Sequence, residues 1–184
     1  MKMRNSFVSN SSSSSFVVAF PKRPKTINEC HEIMFPNGEE FIQPYDSGTS
    51  SKKIAKTVFE DIENQEAATL EEIAERFNSR YYYWTISSSW GCYDDRTCWG
   101  TDKAQLEKIA DLAKDREKTG CNNWKEEQQL INEMAKIDAK AFIVLTKKQP
   151  KYCFSYSDND GSYSSILEHG DIFENLVHVK ISHH

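Results

Sequence analysis

Hydrophobic positions follow three patterns along this chain. The first is a short continuous run, Phe16 to Phe20, stopped by Pro21 and Pro24, which reads as a buried β-strand. The second is helical. Thr26 to Phe35 reads as a short helix ended by Pro36-Asn37-Gly38, and residues 44–50 read as a loop. Ser51 is then the expected N-cap of a helix carrying Ile54, Val58 and Ile62 on one face. Thr69 and Glu72 form a capping box, followed by Leu70, Ile73, Ala74 and Phe77 at helical spacing. Another helix is predicted from Asp102, with Gln105 as its capping partner, Leu106, Ile109, Ala110 and Ala113 inward, and Gly120 just past its end. The next starts at Asn123 with Glu126 and buries Leu130, Ile131, Met134 and Ile137. A short turn between these two predicts an antiparallel pair.

The third pattern has the period of strands. Ala141 to Thr146 is apolar and rich in β-branched residues, and Gln149-Pro150 turns the chain. Tyr152, Phe154 and Tyr156 then alternate with Cys153, Ser155 and Ser157. Asp158-Asn159-Asp160-Gly161 signals a hairpin turn, and Leu176 to Ser182 alternates again with Val177, Val179 and Ile181 on one face. Strands at both ends of a helical middle predict an α+β fold in a single domain, 1–184. Its sheet is expected to be mostly antiparallel, an N-terminal strand plus three C-terminal strands, packed against the helical middle, with the first strand inserted beside the last ones. The expected segments are a Ser-rich stretch at 1–15, a mainly helical part at 51–139 and a mainly β part at 140–184.

Composition narrows the class. With 184 residues, 38% hydrophobic and 28% charged, the chain can bury a core without disulfide or metal staples. It has no run of eighteen apolar residues for a transmembrane helix. The five-residue run at Phe16–Phe20 is too short for a secretory signal. Cysteines at 30, 92, 98, 121 and 153 make no even disulfide framework, and fit reduced thiols in a cytoplasm. The formal charge of −5 is unevenly spread. Residues 1–25 hold Lys2, Arg4, Lys22, Arg23 and Lys25 with no acid, so the rest of the chain carries −10. An acidic body argues against duplex nucleic acid and leaves a local anion site near the N-terminus open.

Four features could carry chemistry. Asn10, Ser11, Ser12, Ser13, Ser14 and Ser15, with their basic flanks, offer hydroxyls and backbone amides for a phosphate or nucleotide; the plainer reading is a polar arm. Four of the five histidines lie at 169, 178, 183 and 184, near Glu168 and Asp171, which makes His169, Asp171 and His178 acid–base candidates. If the last strand is extended, His178 and His184 stand roughly 20 Å apart at about 3.3 Å per residue and cannot share an ion. His183 and His184 point to opposite faces, and they also fit the stub of a purification tag. No metal site or cofactor is therefore expected. Asp158–Gly161 lacks the glycine and glutamate positions of a calcium loop.

The third feature is aromatic. Tyr81, Tyr82, Tyr83, Trp84, Trp90, Tyr93 and Trp99 lie within nineteen residues, between or beside Arg80 and Arg96. Three consecutive tyrosines cannot all face one core. Tyr81, Tyr82, Tyr83, Trp84, Trp90 and Trp99 therefore read as an interface, favoured over base stacking by the acidic surroundings. The fourth is Cys92 and Cys98, whose five-residue spacer does not suit a zinc knuckle and has no second pair. The chain has no Walker A, Gly-x-Gly-x-x-Gly or Gly-x-Ser-x-Gly motif.

The stretch Phe7-Val8-Ser9-Asn10-Ser11-Ser12-Ser13-Ser14-Ser15-Phe16 resembles the opening shared by many small phage and bacterial proteins without an assigned role. The ending, Glu168 to Phe173 and then His178 to His184, is similar to that of some tailed-phage proteins. The resemblance implies a phage source and a bacterial host, and transfers no residue roles. Together these readings favour an accessory or host-interaction protein that binds a bacterial protein partner, with no membrane association. The alternative is a nucleotide- or phosphate-binding protein or hydrolase that uses the Ser-rich loop with C-terminal histidine and carboxylate groups. Alanine at Tyr82 and Trp84 is the expected way to abolish partner binding.

Overall fold

A computed structural model of the chain describes residues 13–38, 49–87, 100–119, 124–157 and 164–183. Its sheet has three antiparallel strands in the order β2-β1-β3, with β1 at Ser13–Ala19, β2 at Lys151–Ser157 and β3 at Val177–His183. The inserted first strand is as the sequence predicts. Phe16 pairs with Phe154 on one side and Lys180 on the other, and Val18 with Tyr152 and His178.

Among the described residues, six helices cover both faces of this sheet: α1 (Ile27–Met34), α2 (Ser51–Glu63), α3 (Leu70–Ser87), α4 (Lys103–Thr119), α5 (Trp124–Thr146) and α6 (Ser164–His169). Alternation along the strands divides the core in two. Phe16, Val18 and Phe20, with Tyr152, Phe154 and Tyr156, pack on α1, α2, α6 and Phe173. Val17, Ala19, Val179 and Ile181 pack on α3, α4 and α5. The helices are thus not confined to the middle of the sequence, and the result is a three-layer α+β domain.

Two of the expected capping pairs form, and Asn123, expected to start the helix after them, lies outside the described residues. Thr26 accepts from the Glu29 amide at 3.1 Å. Thr69 and Glu72 cap α3 reciprocally, at 3.2 Å and 2.7 Å, and Asp102 and Gln105 do the same for α4 at 2.9 and 3.2 Å. The N-cap of α2 is Ser50, one residue earlier than expected. The hairpin signal at 158–161 lies outside the described residues.

One expected strand is a helix. Ala141–Thr146 forms the last turns of α5, so two C-terminal strands are present among the described residues instead of three. The cause is the buried stripe that begins with Glu127, Leu130, Ile131 and Met134. It continues without interruption through Ala135, Asp138, Ala139, Phe142 and Thr146. Packing on that stripe overrides the local strand preference of Ile143 and Val144, and leaves Val144 70% and Leu145 58% exposed. Thr146 Oγ bonds back to the Phe142 carbonyl at 2.7 Å. Lys147 then leaves the helix at φ 41°, a left-handed stop made without glycine.

This arrangement predicts unequal costs for two substitutions two residues apart. By urea unfolding, Phe142→Ala should lose about 3–5 kcal/mol, whereas Val144→Ala should stay within about 0.5 kcal/mol. In a strand the two side chains would share a face and their costs would be similar.

Candidate functional site

The most distinctive local geometry lies along the outer edge of β2. The Phe20 amide donates to the Pro150 carbonyl at 2.9 Å, which sets the phase of the β1–β2 ladder. Tyr152, Phe154 and Tyr156 then direct their backbone groups to β1, while Lys151, Cys153 and Ser155 direct theirs outward. The outward carbonyl of Lys151 confirms the phase by accepting from the Ala68 amide at 2.7 Å. Beyond that one contact, no described residue takes the outward backbone groups of Cys153 or Ser155.

A cavity of about 210 Å³ runs beside this edge. Its walls are Cys153 to Tyr156 of β2, Thr57 and Asp61 of α2, Gln65 just past the end of α2, and Leu167 of α6. Thr57 and Asp61, four residues apart, lie on one face of α2. Tyr156 donates its hydroxyl to Asp61 Oδ2 at 3.0 Å, placing a carboxylate on this side of the edge. On the opposite face, Arg76 of α3 donates through Nη1 to Ser155 Oγ at 2.9 Å and Ser15 Oγ at 3.3 Å. The two serine oxygens stand 3.2 Å apart as cross-strand neighbours.

The other edge is different. β3 turns the backbone groups of His178, Lys180 and Ser182 outward, and Lys180 also reaches over the Phe16 ring, 5.8 Å from its centroid. A lysine on an edge strand discourages pairing. From Tyr152 to Ser157, β2 carries no charge and no proline. A second depression, lined from Trp124 to Lys136, belongs to the outer face of α5 alone.

Among the described residues, those singled out from sequence lie on β1, α3, β3 and the segment from α6 to β3. Ser13, Ser14 and Ser15 form the start of β1, so their hydroxyls alternate between the two faces. Ser15 joins Arg76, whereas the buried Ser14 hydroxyl has no hydrogen-bond partner among the described residues. Asn10, Ser11 and Ser12 lie outside the described residues. Ser13 is the register partner of His183, so the N-terminal run does meet the C-terminal strand. His178 is half-buried beside Phe173, and its Nδ1 bonds the Leu176 carbonyl at 3.0 Å. Asp171 is exposed, with its carbonyl accepting from Glu174. His169 ends α6, and its side chain is outside the description. Tyr81, Tyr82, Tyr83 and Trp84 belong to α3 by backbone, while Trp90 and Trp99 lie outside the described residues. Among the described residues, no three His, Cys, Asp or Glu side chains gather as a metal site, and no helix is long and apolar enough to cross a membrane.

Arg76, Asp61 and Ser155 were not singled out by sequence reasoning. Each looks like an ordinary polar position within its element, and only the phase of the β1–β2 ladder and the placement of α2 and α3 bring them to one edge.

Both described thiols lack activation. Burial pushes Cys30 up to about 12 and Cys153 up to about 11, with Arg76 drawing the latter back only in part. The ordinary thiol value is 9.0. Above that pH the unfolded chain ionises while the folded one holds its protons, so alkali favours unfolding. The stability these thiols contribute should be intact below pH 9.0 and fall between 9.0 and about 12. Replacing both with serine should flatten that part of the pH–stability curve, measured by urea unfolding.

No protein-family model matches this chain, and no curated protein or solved structure matches it either.

Proposed function

We propose that this chain is a binding protein that takes an extended segment of a partner protein as an added strand along β2. The observation that supports this reading is the outward backbone of Cys153 and Ser155 beside the α2 groove. Main-chain groups at a sheet edge give affinity to an added strand, and an adjoining groove sorts its side chains. An uncharged, strand-prone edge without proline is what natural proteins otherwise avoid exposing. The resemblance of the N-terminal stretch to phage proteins makes a bacterial host protein the natural source of the segment. This reading keeps the expected protein partner and moves its contact from the aromatic block to the sheet.

The test is an immobilised array of random hexapeptides probed with the full chain. Proline at a strand edge is tolerated where the lost N–H faces outward. Cys153→Pro should therefore weaken the retained peptides at least about tenfold, which is 1.4 kcal/mol, with the fold verified by circular dichroism. Lys180→Pro, the equivalent change on the β3 edge, should leave them bound. The reading is overturned if Cys153→Pro binds them as tightly as the parent, or if the Tyr82→Ala/Trp84→Ala variant alone loses them.

A further inference from the structure

We infer that the β2 edge reads charge: it favours a segment with an acidic side chain next to a basic one, the acid over Arg76 and the base over Asp61. The inference rests on strand addition at β2 and goes beyond it by naming the partner's chemistry. The physical basis is the two-residue period of a strand. Any strand laid against β2 shows neighbouring residues to opposite faces of the sheet. One face is the α3 side, where Arg76 stands over Ser155. The other is the α2 side, where Asp61 lines the cavity beside Tyr156. Adjacent residues of an added strand therefore meet charges of opposite sign.

Arg76 as a residue is half-buried, and its side-chain contacts among the described residues are neutral: the hydroxyls of Ser15 and Ser155 and the thiol of Cys153. No described carboxylate forms an ion pair with it. Glu72, one turn earlier on α3, is held by the helix start, where Oε2 accepts from the Thr69 amide and hydroxyl at 2.7 and 3.0 Å. Glu75 is exposed on the same helix. A guanidinium fork held on neutral oxygens at a strand edge is preorganised for a carboxylate. The acid at Asp61 then disfavours a second acidic residue beside the first and rewards a basic one.

Four fluorescein-labelled hexapeptides on one strand-forming background test the code with the full chain: TVKEVT, TVQQVT, TVEEVT and TVKKVT, read by fluorescence anisotropy. The neutral peptide reports strand addition alone. TVKEVT should bind about fivefold tighter than each of the others, the upper range for a cross-strand charge pair. Arg76→Glu should move the preference to TVKKVT, and Asp61→Lys should move it to TVEEVT. Arg76→Gln and Asp61→Asn, the milder changes, should each reduce the TVKEVT advantage over TVQQVT. Equal binding of all four peptides overturns the charge code and leaves strand addition standing. Absence of binding by any peptide overturns both. If inorganic phosphate alone raises the Tm of the parent but not of Arg76→Gln while peptide charge has no effect, Arg76 serves a free anion and the inference falls.

Discussion

The rest of this molecule depends on β1 being paired on both sides and buried on both faces. Phe16, Val17, Val18, Ala19 and Phe20 are almost fully shielded from solvent. Such burial is possible only if strands supply hydrogen bonds along both edges and helices cover both surfaces. The pairing strands come from the far end of the chain, Lys151–Ser157 and Val177–His183. The N-terminal segment therefore cannot complete its bonding until nearly the whole sequence is in place, a topology that slows folding. Placing β1 in the centre also fixes what is left over: among the described strands, β2 and β3 become the two edges. One of them carries lysine, and the other is uncharged beyond its first residue. The proposed binding role follows from that asymmetry.

The helical layer on the α3 side is tied together by a second constraint. Asp138, fully buried on α5, accepts at Oδ1 from the Gly100 and Thr101 amides and from the Thr101 hydroxyl, at 2.8, 2.7 and 2.9 Å. Three donors on one oxygen make a buried carboxylate tolerable and anchor the residues that lead into α4. Gly100 permits the approach, since a Cβ there would stand 3.0 Å from the Ala141 Cβ. The contact also explains why α5 runs as far as Thr146. Its middle and its last turns pack on α3, on the chain leading into α4 and on the sheet, so a strand beginning at Ala141 would break a continuous interface.

Local order was largely legible in the sequence. The capping pairs Thr69/Glu72 and Asp102/Gln105, the alternation of Tyr152, Phe154 and Tyr156, and the insertion of the first strand all rest on short-range chemistry or on a simple period. Ala141–Thr146 was misread because β-branched residues favour a strand locally, while the stripe that decides the matter begins fourteen residues earlier at Glu127. The candidate site was mostly hidden for a related reason. Ser15 was named as an anion ligand, but its companions Arg76 and Ser155 are 61 and 140 residues away. An open edge is a property of strand order, which no single segment encodes. The histidines and the aromatic block are conspicuous in the sequence for their density, which says nothing of where they lie in the fold.

The binding role depends on the outward backbone groups of Cys153 and Ser155, which no described residue takes up, and native-state amide hydrogen exchange followed by NMR tests their accessibility directly. Amides bonded to β1, those of Tyr152, Phe154 and Tyr156, should exchange only through global opening. The intervening amides of Cys153 and Ser155 should exchange orders of magnitude faster. Equal protection along all five positions would mean that the edge is already covered, and would contradict the binding role built on it.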